Sequence, residues 1–229
     1  MDGASALSLI LSGDPTLLAI VRLSLAVTLA AVALGALIGL PLGAMVALSR
    51  YRGRGAMVVA LNALMGLPPV VVGLLVFLAL SRSGPLGFLG LLFTPTAMIL
   101  AQAVLITPII AALTRQVIED LWSEYRDEFT AMEVAPLARA RALLWDARFM
   151  LVTILLAGFG RAAAEVGAVM IVGGNIDGFT RVMTTTIALE TSKGNLALAI
   201  GLGLVLIALI VAINMLAWGI RHWSERHAG

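Results

Sequence analysis

The sequence predicts an all-α membrane protein of five transmembrane helices, with the N-terminus outside and the C-terminus in the cytoplasm. Three observations carry that prediction. Of the 229 residues, 61% are hydrophobic and 12% are charged, against about 25% charged in a soluble domain, and the mean hydropathy is +1.05. A chain of this length still has a large surface to cover, so the apolar excess must face lipid. Charge-poor runs recur along the chain, each near the roughly 20 residues that a membrane crossing needs. Finally, 12 of the 28 charged residues (15 basic plus 13 acidic) fall within the 34 residues 115–148. That is one hydrophilic island among apolar runs.

In order, residues 1–16 read as an external N-terminal segment, 17–220 as a membrane domain and 221–229 as a cytoplasmic tail. The first segment lacks the basic start and small-residue cleavage site of a secretory signal. Its short apolar patch, 5–11, is expected to lie at the membrane interface. The first span, 23–49, carries no charge. Its Gly35 and Gly39 form a GxxxG face for close helix approach, read as packing within the subunit. A basic turn (Arg50, Arg52, Arg54) precedes the second span, 56–81. There Pro68 and Pro69 follow Gly66 and predict a break or kink. Such a break either lines a path for polar cargo or is a structural kink against protein. A Gly/Pro-rich connection leads to the third span, 95–114, which Pro108 should interrupt. The island 115–148 follows, then the fourth span, 149–173, a polar loop over 174–194, and the fifth span, 195–220.

Charge placement orients the bundle. With the island in the cytoplasm, ten basic residues lie inside (Arg50, Arg52, Arg54, Arg115, Arg126, Arg139, Arg141, Arg148, Arg221, Arg226) and four outside (Arg22, Arg82, Arg181, Lys193). This is the positive-inside bias. The isoelectric point near 9.7 reports topology and not nucleic-acid binding, because no basic stripe interleaves with aromatics. The absence of cysteine excludes disulfides and thiolate chemistry. His222 and His227 sit in the tail with no acid cluster near them, so no metal site is expected. No catalytic constellation stands out, and no Walker A sequence is present.

Within the island, Phe129, Met132, Pro136, Ala140, Leu143 and Leu144 recur at three to four residues, which gives a short amphipathic helix. Its many carboxylates disfavour the negative inner leaflet, so a partner protein fits this face better than lipid. In the fourth span, Arg161 and Glu165 are i and i+4 and share a helix face. An unpaired intramembrane charge costs about 2.5–3.5 kcal/mol on insertion scales; here each can partner the other. The pair either lines a translocation path or braces the helix. A carboxylate would repel an anionic cargo, which favours the brace for Glu165 and leaves the path reading open for Arg161. In the loop beyond, Asn175, Arg181, Thr184 and Thr185 offer donors to an oxyanion. A solvated loop or a docking surface for an external binding protein fits equally.

Glu133-Val134-Ala135 resembles the EAA loop of ABC-importer permeases, with Val134 where that family has Ala and Arg139 where it has Gly. Residues 158–176 (GFGRAAAEVGAVMIVGGNI), 180–187 (TRVMTTTI), 189–194 (LETSKG) and 67–74 (LPPVVVGL) are similar to the tungstate-type branch, near its sulfate and molybdate relatives. The resemblance implies a type I importer bundle and a permease subunit for an oxyanion, tungstate first, with molybdate or sulfate as alternatives. It implies a coupling loop that docks on a cytoplasmic ATP-binding subunit through Phe129, Met132, Glu133, Ala135, Leu137 and Leu143. It also implies a path or brace formed by Pro68, Pro69, Arg161 and Glu165. The expected partners are a second copy of the chain, the ATPase, an external substrate-binding protein and membrane lipid. The location would be the prokaryotic inner membrane. No cofactor is expected in this chain, since ATP and Mg²⁺ would be held by the ATPase. A secondary transporter that uses Arg161 and Glu165 as an ion relay is the contrasting reading. It needs no charged amphipathic island, and such proteins usually carry an internal repeat, which is not found here.

Overall fold

The computed structural model describes residues 15–49 and 51–227, the side chains of 220–227 excepted. The apolar patch 5–11, Arg50 and the side chains of His222 and His227 lie outside the described residues. The described residues form α-helices and one short 3-10 turn, with no strand among them. The helices are α1 (Pro15–Leu48), α2 (Arg54–Met65), α3 (Pro69–Leu80), α4 (Pro95–Ala131), α5 (Pro136–Asp146), α6 (Arg148–Ala163), α7 (Gly167–Gly173), α8 (Met183–Ser192) and α9 (Leu196–His227).

Among the described residues, three helices are long and apolar enough to cross a membrane by themselves: α1, α4 and the Leu196–Gly219 part of α9. Two further spans arise if bent pairs are counted, α2 with α3 at 102° and α5 with α6 at 74°. The first bend has a plain cause. Pro68 caps α3 in an extended conformation and Pro69 opens the helix, so neither can continue α2. Pro108, by contrast, does not interrupt α4, which runs unbroken from Pro95 to Ala131. A proline inside an apolar helix is tolerated where neighbours cover the freed carbonyl, and Pro108 is buried. Pro41 is likewise carried inside α1.

The largest departure from the sequence reading is the length of α4. Its 37 residues reach about 55 Å at 1.5 Å rise each, so the first half of the island is a continuation of the third span. Residues 115–131 contain no Gly or Pro to stop the helix, and Arg115 pairs with Glu119 one turn on. The fourth span also differs. It is not one helix over 149–173 but α6 and α7, separated by Ala164, Glu165 and Val166.

The chain divides into two compact units. Of the described residues, one takes 15–31, 68–102 and 160–227. In it Leu17, Met183 and Leu202 form a core that joins α1, α8 and α9. The Met183 N–H donates to Ser24 Oγ at 2.7 Å. In the same unit α3 lies against α7 at glycine distance, since a Cβ on Gly73 would stand 2.6 Å from Ala168 Cα. The other unit takes 32–67 and 103–159. There Gly35, Gly39 and Gly43 turn one face of α1 onto α4. A Cβ on Gly43 would stand 2.5 Å from the Ala111 carbonyl oxygen. The GxxxG face is therefore used within the subunit. Val46, Leu61, Ala111 and Ala112 bury together beside it.

Candidate functional site

The break between α6 and α7 is built around Glu165. Arg161 Nη1 donates to Glu165 Oε2 at 3.0 Å, and the Ala168 N–H at the start of α7 donates to Oε1 at 3.0 Å. The backbone oxygen of Glu165 accepts from Thr184 Oγ1 at 2.8 Å. Glu165 has only 2% of its side chain exposed, against 34% for Arg161. Both carboxylate oxygens are thus engaged, and the residue seals the break as a side-chain cap. Its charge also suits the start of a helix, as that of Arg161 suits the last turn of α6. The pair forms across the end of a helix and not along one continuous face as the i, i+4 spacing predicts. Gln102 completes the seal, its Nε2 donating to the Ala162 carbonyl at 3.0 Å. The sequence signal for Gln102 is a lone amide in an apolar run. Pro68 and Pro69 hold the second broken element, and beyond it Val70 packs on Gly167, where an added Cβ would stand 2.9 Å from Val70 Cγ2.

The four residues expected to contact an oxyanion are not gathered on a solvated loop. Thr184 and Thr185 lie buried on α8 with Thr186. Their hydroxyls are engaged internally, Thr184 with Glu165 as above and Thr185 with the Val182 carbonyl at 3.1 Å. Burial requires this, because an unpaired hydroxyl costs more than a bonded one returns. Arg181 Nη1 pairs with Asp177 at 2.9 Å, and its Nε is buried without a partner. Asn175 stands at φ 49° after the positive-φ Gly174, and its Oδ1 is also buried without a partner. Of the four, the two threonines have their hydroxyls engaged, and Arg181 keeps a donor, Nε, without a partner.

The island is a helical structure and not a loop. After α4, Glu133 N–H donates to the Thr130 carbonyl and Val134 N–H to the Phe129 carbonyl, both at 3.1 Å, with Glu133 at φ 51°. This doubly bonded terminus with a left-handed residue is the ending that glycine usually supplies. Ala135 then caps α5 and Pro136 opens it. The amphipathic helix therefore starts later than 129, and Phe129 belongs to α4. Arg139 fastens α5 to α4. Its guanidinium lies 4.6 Å from the Trp122 ring centroid, and Nη2 donates to the Val134 carbonyl at 3.0 Å. Trp122 in turn stacks on Phe129 at 6.2 Å. Leu143 is buried, whereas Leu137 and Trp145 stand 73% and 72% exposed and Met132 is exposed between the helices. At the other end of α4's island segment, Glu119 receives both Arg54 and Arg115, and Arg54 Nε caps the Val46 carbonyl at 2.9 Å. Neither the Trp122–Arg139 stack nor the Arg54 contact has a sequence signal, because both join residues far apart in the chain.

These features define a multi-pass, all-helical membrane protein with a hydrogen-bonded break in one apolar segment and a charge-rich helical island over 115–148. Comparison with known proteins gives the family. The chain is 43% identical over 205 residues (87% of this chain, 88% of the relative) to a "Probable anion ABC transporter permease protein" of Haloferax volcanii. It is 41% identical over 217 residues (95% of each) to the "Tungstate uptake system permease protein TupB" of Peptoclostridium acidaminophilum. It is 42% identical over 149 residues (65% of this chain, 62% of the relative) to the protein of the same name in Campylobacter jejuni. No family model matches the chain. The chain belongs to the tungstate-type family of ABC transporter permeases.

Proposed function

We propose that this protein is the permease subunit of an ATP-driven importer for an oxyanion, tungstate first, in a prokaryotic inner membrane. The observation that carries the reading is the 41% identity over 95% of the chain to a tungstate uptake permease. In this reading five spans cross the membrane, with the N-terminus outside and the C-terminus inside, and two copies enclose the path. An external binding protein delivers the cargo. A separate ATPase binds ATP and Mg²⁺ and docks on the island through Phe129, Met132, Glu133, Ala135, Leu137 and Leu143. The exposed Leu137 and Trp145 beside charged neighbours support such docking, since interface anchors are apolar and aromatic side chains with a polar rim. No chemistry is assigned to this chain. Differential binding of ATP to two conformations of the assembly supplies the work. Arg161 and Glu165 brace the broken fourth span, and Pro68 and Pro69 set the break in the second. Near the cargo, Arg181 and Asn175 are the remaining candidates, since Thr184 and Thr185 have their hydroxyls occupied.

The test is uptake by proteoliposomes that hold this chain, its cognate ATPase and its binding protein, with tungstate, molybdate and sulfate in competition. ATP-dependent, vanadate-sensitive tungstate uptake is expected. Uptake that is insensitive to vanadate and driven by an ion gradient would overturn the importer reading. A preference for molybdate or sulfate would overturn the choice of cargo alone.

A further inference from the structure

Between the end of α4 and the helix α5 runs a groove of about 290 Å³. Its apolar lining includes Phe129, Met132 and Leu143, and its polar edge is Tyr125, Glu128 and Asp146. Among the described residues neither Glu128 nor Asp146 has an ion-pair partner. Two cations of this region, Arg139 and Arg148, are engaged elsewhere. Arg139 lies over Trp122, and Arg148 lies over Phe149 at 4.6 Å while donating to the Trp145 carbonyl at 2.9 Å. Carboxylates also bear on the Tyr125 side of the groove. The Tyr125 phenol is held above its ordinary range by the carboxylates of Glu124 first, then Asp146, with burial and Glu128 adding to them.

An apolar floor under two unneutralised carboxylates matches one kind of side chain, a long aliphatic stem that ends in a cation. Lipid does not match it, because the headgroups of the inner leaflet carry the same sign as the rim. We propose that this groove receives a lysine or arginine side chain projected by the ATPase subunit, with the stem on Phe129, Met132 and Leu143 and the cation between Glu128 and Asp146. The contact has the reverse polarity of a helix entering the ATPase: here the permease supplies the socket. The inference rests on the island being the ATPase docking site. It adds a specific electrostatic contact beside the apolar anchors Leu137 and Trp145.

The experiment measures binding of the purified cognate ATPase to the full-length permease in nanodiscs over a range of salt concentrations. The variants are wild type, Glu128→Gln/Asp146→Asn, Glu128→Lys, Asp127→Asn and Leu137→Ala. The double variant is expected to weaken binding about five- to tenfold at low salt and to flatten the salt dependence, since rim charges act through screened attraction. Glu128→Lys should weaken it further. Asp127, which is exposed and does not line the groove, should change binding less than twofold. All the altered side chains except Leu137 are acidic surface groups, and unchanged thermal melting confirms that each variant is folded. If Leu137→Ala weakens binding while the double variant matches wild type in affinity and salt slope, the socket is refuted and the docking reading stands. If wild type itself does not bind the ATPase, both fall. If Asp127→Asn equals the double variant, the effect is general charge and the socket is refuted.

Discussion

Replacing Glu133 by glycine is expected to stabilise the fold and to impair transport. Glu133 ends α4 at φ 51°, where its own N–H and that of Val134 close the last turn at 3.1 Å. An L-residue held in that left-handed conformation costs about 1 kcal/mol or more. Glycine removes that cost, and its greater freedom in the unfolded chain returns part of the gain, about 0.4–1 kcal/mol. The net expectation is a stabilisation of about 0.5 kcal/mol, or roughly 1–2 °C in melting temperature for a chain of this size. The side chain offers nothing to set against this. It is exposed, and no hydrogen bond or ion pair of its carboxylate occurs among the described residues. The assay compares wild type, Glu133→Gly and Glu133→Ala by thermal melting in detergent and by ATP-dependent uptake in proteoliposomes. Alanine keeps the backbone cost and loses the carboxylate, so it should melt like wild type or slightly below, while both variants transport poorly. If glycine melts no higher than alanine, the strain argument is wrong. If both variants transport like wild type, the carboxylate has no role in coupling.

Three further outcomes can be measured on the same preparation. Glu165→Ala leaves the Ala168 N–H and Arg161 unpaired at a buried break, and should destabilise by about 3–5 kcal/mol; Glu165→Gln, which keeps one acceptor, should cost about half of that, and equal melting of all three proteins would refute the brace. Gly43→Ala forces a Cβ to 2.5 Å from the Ala111 carbonyl and should cost about 1–3 kcal/mol, whereas Gly160→Ala meets nothing within 4 Å and should gain up to about 1 kcal/mol as a helical glycine replaced; a reversed order in their melting temperatures would refute the packing of α1 on α4. Glu190 is held below the usual carboxylate range by hydrogen bonds from Lys193, then Asn195, so its contribution is complete above the unfolded value of about 4.3 and is lost as pH falls through the folded one; the melting difference between wild type and Glu190→Gln should therefore shrink from pH 7 to pH 3.5, and a constant difference would refute the linkage.

The apolar segments were legible because lipid imposes a compositional demand that no packing detail can override. Charge-free length alone marks 23–49 and 195–220, and Pro68–Pro69 announces the bend after Gly66 because a proline pair cannot extend a helix. What escaped was decided by hydrogen bonding and not by hydrophobicity. Residues 183–186 look like a polar loop, since three threonines in a row suggest solvent, yet each hydroxyl can bond a backbone carbonyl and so enter the core on α8. Glu165 could be seen to need a partner, but the helix break that lets it bond the Ala168 N–H as well as Arg161 has no hydrophobic signature. Pro108 misled in the other direction, because inside a tightly packed apolar helix one missing N–H does not end the helix.

The island shows why the distinction between a loop and a helical projection matters for coupling. A solvated loop of twelve charges would absorb a displacement of its tip through backbone rotation. Here α4 carries its helix to Ala131, Glu133 fixes the exit angle with two closing hydrogen bonds, and Arg139 ties α5 back to Trp122 and to the Val134 carbonyl. Arg139 takes the position where the resembled loop has glycine, and it replaces conformational freedom with a cation–π contact of about 0.5–2 kcal/mol. At the far end only Ala147 separates α5 from α6. Ala147 is buried and continues the hydrogen-bond ladder, with its N–H on Leu143 and its carbonyl accepting from Leu151, both at 2.9 Å. Each joint of the projection is therefore hydrogen-bonded or clamped. Under the proposed docking, a push on the exposed Leu137 or Trp145 would meet no unbonded segment between α4 and α6. Continuity of this kind is what the proposed coupling role requires.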